Sequence, residues 1–378
     1  MDTPRRVQAG HRPDEGVSTA VGGARPARGD EIRRPPSGLV TLVLGILLLA
    51  AILLGTTFGS VALPPLALVE IPLNRLGLAH LTPTWTPQDE AILLDLRLPR
   101  VIGAALVGLA LAATGTLFQG LLRNPLADPY VIGTSGGAAL GAVIGLILAG
   151  PVMILGFGAV PLAAFVGALG ATALVYRLAR VGRRTPAVTL LLAGIAVSTV
   201  LTYLVSLLLI LNDRLMLNLP RLYGWLLGGV AVSAWIQLAV VGPVILLVTV
   251  VSFGLTRSLN AFGLGEEAAE RLGIPVERDK LLIIAAGSLL TGAAVTISGL
   301  IGFVGLIVPH AMRLIAGPDH RRLLPYSALA GASFLVVADL LARTILAPVE
   351  LPVGILTAFI GGPYFLYLLR ASRREYAL

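Results

Sequence analysis

Residues 39–59 read LVTLVLGILLLAAILLGTTFG, an unbroken stretch without a charged side chain. An α-helix needs about 20 apolar residues to span the hydrocarbon core of a bilayer. The stretch is longer than the apolar part of a secretory signal peptide, and no clear cleavage site ends it. We therefore interpret it as a retained membrane-spanning helix.

Similar apolar stretches recur along the rest of the chain. Hydrophobic residues make up 56% of the sequence and charged residues 13%, and the mean hydropathy of +0.90 lies well outside the range of soluble domains. The 44 glycines and 25 prolines suit close helix packing and broken helices in a membrane. The sequence predicts an all-α polytopic membrane protein with about ten spans, at 39–59, 101–122, 131–150, 152–176, 187–211, 235–255, 281–298, 301–316, 325–347 and 353–370.

The positions of the basic residues predict the orientation of these spans. With a cytoplasmic N-terminus, 22 of the 28 Arg and Lys residues fall on the inner side. This imbalance predicts that both termini are cytoplasmic. It also explains the pI near 10.4 as a topology signal, so no nucleic-acid partner is implied. The six basic residues on the outer side are Arg75, Arg97, Arg100, Arg214, Arg221 and Arg343.

Three segments differ in composition from the predicted spans. Residues 1–37 are rich in Arg, Pro, Gly and acids, which predicts a disordered cytoplasmic tail before a ten-helix domain over 38–378. Residues 60–97 mix prolines with acidic residues and predict an external loop against the membrane surface. Residues 256–280 form the long charged segment on the inner side between spans.

Lysine and cysteine usage limits the chemistry of the chain. Its single lysine, Lys280, follows Asp279, whereas the phosphate-binding loop GxxxxGK[ST] needs a lysine after a glycine. Any ATP and Mg²⁺ used with this chain must therefore be held by another subunit, and we expect no cofactor on the chain itself. The absence of cysteine excludes disulfides, thiol catalysis and Cys-ligated metals.

A weak internal repeat appears at an offset of 184 residues. It aligns three glycines of the second predicted span, and a proline shortly after it, with positions in and between the seventh and eighth spans. Because the two copies begin in an even-numbered and an odd-numbered span, they would cross the bilayer in opposite directions, an inverted repeat common in transporters. Chance matches between abundant glycines remain an alternative. The aligned pairs are Gly103 with Gly287, Gly108 with Gly292, Gly115 with Gly299, and Pro125 with Pro309.

Seven short motifs resemble those of one transporter family. Together they cover 97–354 in order, and the similarity in hydropathy extends from about 39 to the C-terminus. The chain resembles the permease subunits of type II ABC importers for iron chelates, haem and vitamin B12. The motifs are RLPR (97–100), QGLLRNPLADP (119–129), LLLAG (190–194), GFVGLIVPH (302–310), DHR (319–321), LAGAS (329–333) and ELPVG (350–354).

The resemblance implies a complete transport assembly in the cytoplasmic membrane of a bacterium. A second permease copy, identical or closely homologous, would enclose a central path with the first, surrounded by membrane lipid. Two copies of a cytoplasmic ABC ATPase would power it, and an external binding protein would deliver substrate. The expected cargo is an iron–siderophore complex, with haem and then cobalamin as alternatives, since a path with few charges suits a bulky chelate better than a bare ion.

The resemblance also implies roles for particular residues. The segment 256–280 would form two short helices that dock in a groove of the ATPase, with Ala268, Ala269 and Leu272 as contacts. A solvated loop without a partner is the alternative. The family match covers the core GEEAAERLG (265–273), from which we assign coupling to Gly265, Glu266, Glu267, Ala269, Leu272 and Gly273.

On the outer side, Arg97, Arg100 and Arg343 match arginines that receive acidic residues of the binding protein. Such rim charges steer encounter and fix orientation. The alternative is that Arg97 and Arg100 anchor the second span at the membrane interface. Ala187 and Val188 align with the cytoplasmic gate of the family, where an apolar pair would form a hydrophobic seal.

Two other classes compete with the importer. A secondary transporter driven by an ion gradient would need acids near the midplane, where Asp339 stands. Four residues before Arg343 on one helical face, Asp339 more simply forms a neutralising pair. The stretch GTSG (133–136) resembles the nucleophile motif of intramembrane serine proteases, with Ser135 attacking and His310 as base. His310 is more simply a helix-end residue, because no second ligand stands at metal-binding spacing beside it, and we predict no catalytic residue and no metal site.

Overall fold

The computed structural model describes residues 36–59, 61, 63–64, 66–78, 82–148 and 153–373. The tail predicted over 1–37 lies outside this part except for its last two residues. The described residues form one compact helical unit. In chain order its helices are α1 (Ser37–Thr57), α2 (Ala67–Arg75), α3 (Pro87–Ala91), α4 (Leu98–Leu121), α5 (Thr134–Leu148), α6 (Ala159–Ala179), α7 (Ala187–Leu211), α8 (Asp213–Leu217), α9 (Leu219–Leu226), α10 (Trp235–Ser252), α11 (Thr256–Phe262), α12 (Glu266–Arg271), α13 (Val276–Ser298), α14 (Val304–Ala316), α15 (His320–Thr344) and α16 (Val353–Arg373).

Ten of these helices are apolar over at least ten residues. Seven are long enough to cross a membrane: α1, α3 with α4, α6, α7, α10 with α11, α13 and α15. The shorter apolar helices α5, α14 and α16 bring the total to ten in the described part of the chain. The predicted all-α polytopic class with about ten spans is confirmed.

Helix boundaries differ from the predicted spans at two charged segments. The second span begins before residue 101, because α3, a π-helical stretch (Ile92–Arg97) and α4 run on without a break. Its first turn is fixed by Thr86, whose hydroxyl accepts from the Asp89 N–H at 3.2 Å while Asp89 accepts from the Thr86 N–H at 2.9 Å. The seventh span begins at Val276, so the charged inner segment ends at Pro275 and Lys280 lies inside a helix.

The remaining connections are short. A two-stranded antiparallel hairpin, β1 (Met153–Ile154) with β2 (Phe157–Gly158), joins α5 to α6. A 3₁₀ turn (Pro129–Ile132) leads from α4 into α5, and a second one (Phe253–Leu255) joins α10 to α11. These elements lie at three of the connections between helices.

Helix α4 forms the centre of the bundle. In the span that contains it, 78% of the most apolar 18-residue stretch is buried. Glycines let its neighbours approach closely, as is usual between membrane helices. A Cβ on Gly108 would lie 2.1 Å from the carbonyl oxygen of Gly331 in α15, and one on Gly115 would lie 1.8 Å from that of Gly305 in α14. No side chain fits at either crossing.

The two helices that carry most of the predicted repeat, α4 and α13, pack against each other. The Thr114 hydroxyl near the end of α4 donates to the Gly287 carbonyl in the first half of α13, at 3.2 Å. Near the start of α4, Gly103 lies against Val230 and Val232. The residue between these valines, Ala231, donates its N–H to the carbonyl of Ile297 at the end of α13. The helices thus run in opposite directions, as inverted copies would.

Helix α4 also defines the two ends of the bundle. Near its start, Arg100 contacts Asp339 of α15, beside α2 and α3. Near its end, Gly120 lies against Leu259 and His320, beside α11 and α12. We call these ends the α2 side and the α12 side.

Candidate functional site

Two glycines delimit helix α12 on the α12 side. Gly265 has a φ of +104° and Gly273 a φ of +77°, backbone conformations that side-chain-bearing residues rarely adopt. They turn the chain sharply before and after the helix. The segment from 256 to 275 therefore holds two short helices, α11 and α12, joined by a tight link.

Two exposed leucines flank helix α12, and one alanine of the helix faces inward. Leu272 at its end is 58% exposed, and Leu264 just before it is 71% exposed. Ala269 is fully buried against the protein. The sequence assigned both Ala269 and Leu272 to partner contact. The structure corrects this for Ala269, because a small side chain at this position lets α12 lie flat on the bundle, while Glu266 and Glu267 stand at its N-terminal turn.

Helix α11 is tied to the start of α15. Asn260 donates to Asp319 at 2.7 Å and accepts from the His320 N–H at 2.9 Å. Partial burial alone would raise the pKa of Asp319. The hydrogen bonds from Asn260 and from the Arg321 N–H, at 3.0 Å, hold the pKa of this carboxyl below its ordinary value. A second bond joins the Ser258 hydroxyl of α11 to Asp279 of α13.

Lys280 is buried and carries three hydrogen bonds. Its ammonium donates to Glu266 at 2.7 Å, to Glu277 at 3.0 Å and to the Thr185 carbonyl at 2.9 Å. Its side chain is only 4% exposed. The ammonium therefore joins α12, α13 and the loop before α7. From the sequence this residue excluded a nucleotide-binding loop, although a lone lysine with five acids in the segment 256–280 was a visible signal.

The predicted gate lies directly beside this joint. The loop between α6 and α7 closes with a tight turn in which Val181 and Arg184 exchange backbone hydrogen bonds. Pro186 is the N-cap residue of α7. Ala187 is partly buried and Val188 is 66% exposed.

Helix α7 exposes an uncharged stripe of hydroxyl side chains in its second half. Only 17% of its most apolar 18-residue stretch is buried. Spacings of three and four residues place the stripe on the face that carries Val188 at its start. Hydroxyl hydrogens bond back to the helix, for example from Thr202 to the Ser198 carbonyl at 2.8 Å. The stripe consists of Thr199, Thr202, Tyr203 and Ser206, all exposed.

Arg97, predicted to dock a binding protein, is 5% exposed and bonded within the chain. Its guanidinium donates to the carbonyls of Thr56 and Thr57, at 3.1 and 2.9 Å, and to that of Val61. It therefore caps the end of α1. An external acid cannot reach it in this arrangement, so the geometry favours its role as an anchor within the protein.

Arg100 and Arg343 meet at one buried carboxylate, Asp339. Arg343 lies 2.9 Å from it, as the spacing on α15 predicted, and Arg100 of α4 lies 3.0 Å from its other oxygen. Arg100 also pairs with Glu350 at 2.8 Å, and Arg343 reaches the Gly55 carbonyl at 3.2 Å. Asp339 is 1% exposed and Arg343 5% exposed, which leaves Arg100, at 22%, as the partly accessible member of the predicted docking set.

A cavity of about 790 Å³ lies on the α2 side. Its wall includes all three predicted docking arginines. Arg221 of α9, which is exposed, adds a fourth cation, and Glu350 supplies an acid. Trp225 and Leu96 add apolar surface. The α2 side thus presents a basic hollow above the ion pairs.

The residues of the protease alternative sit on different elements. His310, in α14, stands edge-on to the ring of Tyr364, with ring centres 6.2 Å apart. Ser135 lies in the first turn of α5. Within the described ranges, no three His, Cys, Asp or Glu side chains come together as a metal site.

A bundle of ten apolar helices, with a short helical segment anchored on one side and a basic hollow on the other, defines a membrane-embedded transport subunit. A sequence model of the FecCD transport family matches residues 47–371. The chain belongs to this family of ABC importer permeases. It is a transport component rather than an enzyme, and it works with an ATPase and a substrate-binding protein.

Individual relatives agree with the family. The cobalamin import system permease protein BtuC of Halobacterium salinarum is 45% identical over 79% of this chain and 80% of its own. The hemin transport system permease protein HmuU of Yersinia pestis is 42% identical over 82% of this chain and 93% of its own. A solved metal-chelate-type ABC transporter in an inward-facing conformation is 30% identical, with a TM-score of 0.73 over 88% of this chain and 99% of the solved chain.

Proposed function

We propose that this permease imports an iron–siderophore complex across the cytoplasmic membrane of a bacterium. The observation that carries the proposal is the exposed face of α7, which offers hydroxyls and apolar side chains but no charge. Such a face suits a large chelate whose metal is already enclosed, because a bare cation would need a ring of oxygen ligands. Haem and cobalamin, named for the two curated relatives, are the alternative cargoes.

Two copies of the chain are proposed to form the path. One copy leaves α7 largely uncovered along the face that carries its four exposed hydroxyl side chains. A second copy facing it across a central axis would enclose the stripe in a water-accessible space. Membrane lipid would cover the exposed leucines of α1. Only 17% of the most apolar 18-residue stretch of this helix is buried.

The partners are proposed to bind at opposite sides. Two ATPase subunits would dock on α11 and α12 of the two copies, with Leu264 and Leu272 as apolar contacts. The binding protein would dock on the α2 side, where Arg100 and Arg221 keep accessible surface. Arg97 and Arg343 would shape that surface from beneath. With α12 cytoplasmic, both termini are cytoplasmic as well.

A competition assay tests the choice of cargo. The permease, its co-purified ATPase and the neighbouring binding protein are reconstituted in liposomes with ATP inside, and uptake of a radioactive ferric siderophore is measured. We expect ATP-dependent uptake that excess haem or cobalamin does not reduce. Uptake of haem or cobalamin with no uptake of any ferric siderophore would overturn the siderophore assignment and leave the importer class intact.

A further inference from the structure

We propose that Lys280 is a positioning residue that transmits movement of the ATPase-docking helix α12 to the gate at the start of α7. The inference rests on the proposed ATPase docking at α12. Lys280 is the only lysine of the chain, and its ammonium bonds to three separate elements. No other part of the proposed function assigns it a role.

The geometry makes the joint rigid. Charge-assisted hydrogen bonds are short and directional, and all three protons of the ammonium are used here. Two go to carboxylates, on α12 and α13, and the third goes to the Thr185 carbonyl. With its charge buried, the ammonium cannot leave these partners without a large desolvation cost.

The third bond is the important one for gating. Thr185 precedes Pro186, and α7 begins at Ala187, so the carbonyl held by Lys280 is two residues from the predicted gate. A second ion pair, Arg184 with Glu270 of α12 at 3.6 Å, joins the same loop to the same helix. This pair is exposed and therefore weak. The buried contact of Lys280 is the stronger of the two links.

The contacts of α11 and α12 with the bundle differ. Asn260 and Ser258 tie α11 to α15 and α13, so α11 moves with the bundle. Helix α12 lies on the bundle through the small side chain of Ala269. When a docked ATPase displaces α12, the side chain of Glu266 pulls Lys280, and Lys280 pulls the start of α7 through the Thr185 carbonyl. Coupling between sites through such a contiguous network is modest in free energy but large enough to gate a path.

The test compares Lys280→Met and Lys280→Arg with Arg370→Gln, an exposed position on α16 whose change also removes one positive charge. Uptake and ATP hydrolysis are measured in the same liposomes, reconstituted with the ATPase and binding protein. We expect Lys280→Met to hydrolyse ATP but to lose at least about tenfold in cargo moved per ATP, within the usual range of coupling. Lys280→Arg, which keeps a cation, should recover most of this loss, and Arg370→Gln should match the wild type.

A wild-type ratio of uptake to hydrolysis in Lys280→Met would overturn the inference. So would a Lys280→Arg variant as defective as Lys280→Met at equal expression. If Lys280→Met does not assemble, Glu266→Gln tests the same link, since it weakens the contact of Lys280 to α12, and co-purification of the ATPase with this variant checks that docking is retained. We expect it to lower the ratio, and an unchanged ratio would count against the inference. Absence of ATP-driven uptake in the wild type would refute the proposed function itself, and the inference would fall with it.

Discussion

At the scale of single residues, Asp339 holds the most demanding position in the bundle. It is buried between two arginines, and a third basic residue, Arg97, lies close by at the end of α1. Three cations with one buried acid are tolerated because Glu350 and backbone carbonyls supply the remaining acceptors. The cluster joins α1, α4 and α15 on the α2 side.

Removing this carboxylate should destabilise the protein strongly. Asp339→Asn leaves Arg343 buried without a counter-charge, and we expect a loss of about 3–5 kcal/mol in the free energy of unfolding. Glu350→Gln is the matched control, because Glu350 is 44% exposed and its pair with Arg100 contributes at most about 1 kcal/mol. Thermal unfolding in detergent compares the two. Equal, small shifts would show that Asp339 carries no structural charge pair.

Residue contacts could be predicted from the sequence only when they were local. The pair of Asp339 with Arg343 follows from a spacing of four on a helix. The contact of Arg100 with Asp339 joins residues 239 positions apart and depends on how α4 crosses α15. The same limit explains Lys280, whose Thr185 partner is 95 positions away. Docking by Arg97 was an expectation from a motif, and its burial could not be read from the chain.

At the scale of elements, glycine contacts set the spacing of the central helices. Where α4 crosses α14, Gly115 and Gly305 bring backbone atoms into direct contact, and Gly305 also meets Pro129. The motifs QGLLRNPLADP and GFVGLIVPH contain Pro129 and Gly305. Part of the resemblance between this chain and its family is therefore a packing requirement.

Substituting Gly115 should disrupt this crossing. A Cβ at Gly115 would stand 1.8 Å from the Gly305 oxygen, so Gly115→Ala should force the helices apart and cost about 1–3 kcal/mol. Gly45→Ala on α1, with open space around it, is the control and should change stability by about 1 kcal/mol or less. Unfolding temperatures of both variants provide the measurement. A neutral Gly115→Ala would contradict the close crossing.

Apolar length predicted which elements exist better than where they end. All ten predicted spans overlap an apolar helix, because about 20 apolar residues have few alternatives to a membrane helix. The ends were missed where charged turns stay helical, at Pro87 and Val276. A capping box and an ammonium bonded to carboxylates stabilise these turns, and hydropathy does not register either.

At the scale of the whole molecule, the two sides of the bundle differ in chemistry: the α2 side is charged and the α12 side exposes apolar side chains. The α2 side buries its charges in ion pairs around Asp339. The α12 side exposes Leu264 and Leu272, which flank α12. This chain has no phosphate-binding loop. As a member of the FecCD family, it works with a separate ATPase subunit. The proposed transport mechanism therefore depends on whether that ATPase binds at α12.

Site-specific cross-linking tests this claim most directly. Because the chain has no native cysteine, one cysteine can be placed at Leu272 on α12, or as control at Leu78 on the α2 side, both highly exposed. Each variant is purified with its ATPase and treated with a short thiol-to-amine cross-linker. The account predicts that the cysteine at 272 joins the permease to the ATPase and the cysteine at 78 does not. Cross-linking at 78 alone, or at neither position in an active complex, would contradict it.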